Sequence, residues 1–130
     1  TGVDYDEDKI SIASNGFDKT NNLTFKHIDI NNYTFETFDA ILFNDVLHYF
    51  SKEKQLQLLE KSVLNLNKEG IILIRDGITD FKEKHKKTKL TEFLSTKIFS
   101  FNKKEENFHF FSSDDIKSFA KKHNLTFRKI

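Results

Sequence analysis

Residues 38–75 constrain the chain more than any other stretch. FDAILFN runs apolar from Ala40 to Phe43 and stops at Asn44. SKEKQLQLLEKSVLNL then spaces its apolar residues as a helix does, and IILIRD closes with four consecutive aliphatic residues. Two apolar runs joined by an amphipathic helix are the mark of a strand–helix–strand unit with parallel strands. Ser51 is expected to cap the helix, with Lys54 three residues later. Its inward stripe is expected at Leu56, Leu59, Val63, Leu64 and Leu66. Lys68, Glu69 and Gly70 are expected to close the helix, and residues 71–74 to form a strand buried on both faces.

The alternation continues on both sides. Residues 1–3 read as the last part of a strand. Asp6 or Asp8 is expected to cap a helix carrying Ile10 and Ala13, which Asn15 and Gly16 stop. Residues 23–30 read as a strand ending at Asp29, with a turn at Asn31 and Asn32. Ser112, Ser113, Asp114 and Asp115 begin a late helix with Ile116, Phe119 and Ala120 inward; His123 and Asn124 end it. Residues 125–130 read as a last strand. Residues 79–107, rich in Lys and Thr, read as a helical segment inserted between core elements. The whole predicts an α/β layer fold with a mostly parallel sheet.

Composition removes several function classes. Lys plus Arg is 21 against 20 Asp plus Glu, so no excess charge favours nucleic acid or an anionic membrane. There is no cysteine, which excludes disulfides, thiolate metal sites and a cysteine nucleophile. The longest apolar runs, residues 40–43 and 71–74, fall far short of the roughly 18 residues that span a bilayer. A cytoplasmic protein is therefore expected. Histidines at 27, 48, 85, 109 and 123 share no evident ligand spacing, so no metal is expected. The basic run at residues 82–89 reads as a solvated helix face. At 130 residues the chain has room for one core. It holds no methionine, so a piece of a longer polypeptide is expected.

In layered α/β folds ligands bind beyond the carboxyl ends of the strands. Those ends carry Asp4 and Tyr5, Asp29 and Ile30, Asn44 and Asp45, and Arg75, Asp76 and Gly77. A carboxylate there can accept hydrogen bonds from a ribose diol, and a second can accept from an adenine amine. Asp4 and Asp29 suit these two tasks, with Tyr5 and Ile30 supplying apolar faces for the ring. The plainer account makes Asp29 a turn residue with Asn31 and Asn32, and Tyr5 and Ile30 ordinary core or rim. Asp4 reads as spare, because Asp6, Glu7 and Asp8 stand nearer the helix start.

These residues carry a resemblance to a known family. TGVDYDEDKISIAS resembles the end of the second strand of class I S-adenosylmethionine-dependent methyltransferases, and LTFKHIDINNYTF their third strand. FDAILFNDVLHYFSKEKQLQLLEKSVLNLNKEGIILIRD resembles their fourth strand, helix and fifth strand, and FHFFSSDDIKSFAKKHNLTFRKI their late helix and sixth strand. The resemblance implies a Rossmann-like three-layer sandwich, S-adenosyl-L-methionine as cofactor and a small-molecule methyl acceptor. It implies cofactor contacts from Asp4, Tyr5, Asp29 and Ile30, with Asn44 and Asp45 near the methionine part. It makes residues 79–107 a lid, and leaves Phe99, Phe101, Phe108, Phe110 and Phe111 open between lid and core. His48 stands open between a general base and a packing residue. Two departures stand out. Glycines lie only at 2, 16, 70 and 77 and form no G-x-G-x-x-G turn. The family's first and seventh strands find no counterpart, so the sheet is expected to be incomplete at both its N-terminal side and its C-terminal end. An NAD-dependent oxidoreductase and a non-catalytic interaction domain are the alternatives.

Overall fold

The computed structural model describes residues 1–16, 22–81 and 108–130. The expected lid lies outside them, apart from a single 3₁₀ turn at Thr79–Phe81. The fold comprises two compact units, Thr1–Glu36 and Thr37–Ile130.

In the first unit, β1 (Gly2–Asp4) and β2 (Phe25–His27) pair in parallel, with α1 (Glu7–Gly16) between them in sequence. Gly2 faces Phe25, Val3 faces Lys26 and Asp4 faces His27. Asp6 caps α1 as expected: its Oδ1 accepts from the Lys9 amide at 3.2 Å. The helix includes Asn15 and Gly16, the residues expected to stop it. β2 is shorter than the expected 23–30. The Ile28 amide still donates to the Asp4 carbonyl at 2.9 Å, but from Asp29 on the backbone bonds locally. Asn31 donates its amide to Asp29 Oδ1 at 2.8 Å, and Asn32 donates to the Asp29 carbonyl at 2.9 Å. An Asx turn thus claims residues that the apolar pattern assigned to the strand.

In the second unit, β3 (Phe38–Asn44) has the bounds its sequence predicts. It pairs in parallel with β4 (Leu66–Arg75), placing Ile41 opposite Ile72, Phe43 opposite Ile74 and Asn44 opposite Arg75. Between them in sequence lies α2 (Lys52–Leu64), capped by Ser51 Oγ, which accepts from the Lys54 amide.

Three expectations for this region are corrected. First, α2 buries Gln55, Leu58, Leu59 and Ser62, while Leu64 is 83 % exposed. The apolar stripe misplaced the inward face because two polar residues occupy it. Gln55 and Ser62 go inside because backbone carbonyls accept from their side chains. Second, Lys68, Glu69 and Gly70 belong to β4. Asn65 ends the helix instead: its amide donates to Ser62 and Val63, and its carbonyl accepts from Phe38 at 2.9 Å, which starts the pairing. An irregularity in β4 absorbs the extra residues, since Leu66 and Ile71 face Phe38 and Ala40. Third, residues 71–74 are not buried on both faces. Phe43 is buried, yet Ile71 is 52 % and Leu73 41 % exposed. In this two-stranded sheet the two faces of β4 differ, as alternation along a strand requires.

α3 (Ser113–Lys122) begins and ends where its sequence predicts. Ser112 Oγ accepts from the Asp115 amide, and Asp115 in turn accepts from the Ser112 amide, a capping box. At the other end Asn124 has φ 55°, the Leu125 amide donates to Ala120 and the Asn124 amide to Lys121. That is a Schellman arrangement with asparagine in the left-handed position. The expected last strand does not form: residues 125–130 pair with no strand among the described residues.

Asp80 ties the 3₁₀ turn to α3. The Ser113 hydroxyl and amide both donate to its carboxylate, and Lys129 Nζ donates at 2.9 Å. These donors, Ser113 foremost, hold the Asp80 carboxyl well below the usual carboxylate range. A carboxyl more acidic folded than unfolded contributes stability that is complete above its unfolded value, about pH 3.9, and is lost as pH falls through the folded one. Acid unfolding of wild type and Asp80→Asn checks this. Wild type should lose more stability below about pH 4 than the variant does, whereas equal losses contradict the assignment.

Candidate functional site

Because β1 and β2 run parallel, Asp4 and Asp29 leave the first unit's sheet at the same edge. Asp4 is the last residue of β1, and Asp29 follows its register partner His27 by two residues. Asp4 is not wholly spare, as its Oδ1 accepts from the Asp6 amide at 2.9 Å. Its Oδ2 lies 4.0 Å from Lys9 Nζ. Asp29 is exposed; its Oδ1 takes both Asn31 donors, and its Oδ2 accepts from none of the described residues. Each carboxylate therefore spends one oxygen on its own turn and keeps the other outside it. Tyr5 is 63 % exposed, and its carbonyl accepts from His27 Nε2 at 2.9 Å. Ile30 is half-buried. Lys9 Nζ lies over the Tyr5 ring, 6.0 Å from its centroid. Two carboxylates, an exposed aromatic ring and an aliphatic side chain at one edge supply what an adenosine needs: acceptors for its hydroxyls and amine, apolar surface for its ring.

Asn44 and Asp45 belong to the second unit and are described with it. Asp45 has φ 52°, a left-handed conformation that turns the chain sharply off β3 into the 3₁₀ turn Leu47–Tyr49. Both side chains meet Arg75 across the strand pair: its Nη1 donates to Asn44 Oδ1 at 3.0 Å and to Asp45 Oδ2 at 3.2 Å. All three are exposed, so the contacts hold little energy and leave the side chains free to exchange partners.

The same strand ends hold a pair that the sequence reading did not join. His48 Nδ1 stands 2.6 Å from Asp76 Oδ1, and the two side chains are 5 % and 7 % exposed. Asp76 Oδ2 also accepts from the His48 amide at 3.2 Å, and Oδ1 from the Gly77 amide at 2.8 Å. The carboxylate can only accept, so Nδ1 carries the proton. In the neutral ring Nε2 then holds the lone pair, and it has no hydrogen-bond partner among the described residues. Tyr49, Phe110 and Phe108 surround the imidazole at centroid distances of 4.2, 5.3 and 5.4 Å. Gly77 makes room for this: a Cβ there would stand 2.7 Å from the Phe110 ring. Gln55 fastens the wall, donating from Nε2 to the Phe50 carbonyl at 2.8 Å and the His109 carbonyl at 2.6 Å. The available signal was positional, since His48 and Asp76 follow the ends of two adjacent parallel strands.

A family model described as a methyltransferase domain matches residues 1–70. No curated protein matches the chain. The matched stretch takes in the first unit, β3, α2 and the opening of β4. Among the described residues no helix is long and apolar enough to cross a membrane. More than half of the chain, including Asp4, Asp29, Asn44, Asp45 and His48, thus falls within one family pattern, and the chain belongs to the methyltransferase-domain family.

Proposed function

We propose that this domain works with S-adenosyl-L-methionine and a small-molecule methyl acceptor. The observation that carries the reading is the shared edge of β1 and β2, where Asp4 and Asp29 stand beside an exposed Tyr5. When bound, the cofactor supplies a methyl group activated by its sulfonium. Asp4 would accept from the ribose hydroxyls and Asp29 from the adenine amine, while Tyr5 and Ile30 would pack on the ring. For Asn44 and Asp45, in the second unit, the family resemblance implies a role toward the methionine part. Transfer then rests chiefly on alignment of donor and acceptor, which can supply several kcal/mol of a barrier, about 7–11 in the best cases. The near balance of charge, 21 basic against 20 acidic residues, favours a small acceptor over a polyanion.

Thermal unfolding with S-adenosylhomocysteine or with NAD tests the reading. Ligand at about 100 times its dissociation constant adds about 2.7 kcal/mol to the folded state. S-adenosylhomocysteine is expected to raise the midpoint and NAD to leave it unchanged. The reverse result favours an oxidoreductase, and no response to either favours a domain that binds neither.

A further inference from the structure

We propose that Lys9 guards the edge of β1 and β2. In the free protein its ammonium holds the Asp4 oxygen and the Tyr5 face that an adenosine needs, and it gives them up for Asp6 when one binds. The inference rests on the methyltransferase reading. Three contacts carry it: Lys9 Nζ lies 4.0 Å from Asp4 Oδ2, 3.7 Å from Asp6 Oδ2 and 6.0 Å from the centroid of the Tyr5 ring. Asp4 Oδ1 already accepts from the Asp6 amide, so Oδ2 is the oxygen left for a ribose hydroxyl. Among the described residues Lys9 is the cation that reaches it.

The local structure puts Lys9 there. Asp6 caps α1 by accepting from the Lys9 amide at 3.2 Å, which fixes the Lys9 backbone in the first turn, just beyond the strand end. Long side chains on a helix lean toward its N-terminus, which carries the lysine stem back over Asp4 and Tyr5. A cation in the first turn opposes the positive end of the helix dipole. The helix itself thus gains nothing from this charge, and the acidic side chains around the turn hold it.

The arrangement yields readily. The Lys9 side chain is 63 % exposed and those of Asp4 and Asp6 are 35 % each, and contacts this open are weak. An adenosine whose hydroxyls donate to Asp4 and whose ring lies on Tyr5 takes both places at once. Asp6 Oδ2, the nearer carboxylate oxygen from the start, keeps the displaced ammonium. No charge is stranded, so the exchange lowers affinity without blocking the site. Lys9 acts through Asp4 and Tyr5 and touches no reacting atom.

Calorimetric titration of S-adenosylhomocysteine into wild type, Lys9→Ala, Asp6→Asn and the double variant tests the inference. Lys9→Ala should bind about fivefold more tightly, the combined worth of an exposed ion pair and an exposed cation–π contact. Asp6→Asn keeps the helix cap, since asparagine caps as well as aspartate, but leaves the ammonium to Asp4 alone. It should bind about threefold more weakly, and in the double variant that loss should vanish, because no ammonium remains to return. Raising the ionic strength from about 0.01 to about 1 M shortens the screening length from about 30 to about 3 Å, and should narrow the gap between wild type and Lys9→Ala. A merely structural lysine would show none of this. Lys9→Ala binding no tighter than wild type overturns the proposal, as does an Asp6→Asn loss that persists without Lys9. The two readings fail separately. If S-adenosylhomocysteine binds wild type and Lys9→Ala alike, only the guard falls. If it binds none of the four proteins, the adenosine reading falls with it.

Discussion

Alanine in place of Asp76 is expected to lower the free energy of unfolding by about 3–5 kcal/mol. The side chain is 7 % exposed and accepts from three donors: His48 Nδ1, the His48 amide and the Gly77 amide. Gly77 is exposed, so water can replace its bond. The two His48 donors are enclosed, and each is stranded at about 1–3 kcal/mol once the carboxylate is gone. Asp76→Asn keeps the shape and one acceptor oxygen, so it should cost clearly less. Urea titration reads both. The ordering Ala worse than Asn supports a carboxylate that organises the turn after β4, and a loss below about 1 kcal/mol for alanine contradicts it.

Leucine in place of Gln55 is expected to cost about 2–4 kcal/mol although it makes the helix face more apolar. Gln55 is fully buried, and its amide nitrogen bridges the Phe50 and His109 carbonyls. Leucine has similar bulk and no donor, so two partly buried carbonyls lose their partner. Gln55→Glu should fare no better, because a carboxylate would face two carbonyl oxygens with nothing to donate. Gln57→Leu on the exposed side of α2 is the control, expected within about 0.5 kcal/mol of wild type. Equal effects at 55 and 57 would mean that the bridge contributes nothing.

Gln55 also shows where sequence reasoning succeeds and where it stops. The bounds of β3 and the caps at Asp6, Ser51 and Ser112 were legible because they depend on neighbours a few residues away. The inward face of α2 was not, because Gln55 and Ser62 are drawn inside by hydrogen bonds that hydrophobicity does not record. The end of β2 was lost to an Asx turn that competes with strand pairing on equal terms. The last strand was predicted from composition, but a strand needs a neighbour, and among the described residues 125–130 have none. The strand-end rule named Asp4 and Asp29, and the parallel pairing of β1 and β2 puts both at one edge of the first unit's sheet. It also named Asp76, yet it could not show that this residue grips His48 from 28 positions away, a contact made only when β3 and β4 align.

The central proposal is that Asp4 and Asp29 together receive an adenosine. Calorimetric titration of S-adenosylhomocysteine into wild type, Asp4→Asn, Asp29→Asn and, as a control, Asp39→Asn at an exposed position of β3 measures this directly. Each charge-assisted bond is worth about 1.5–3 kcal/mol, so the first two variants should each weaken binding by about 10–100-fold and the control should match wild type. Wild-type affinity in both Asp4→Asn and Asp29→Asn would contradict the claim.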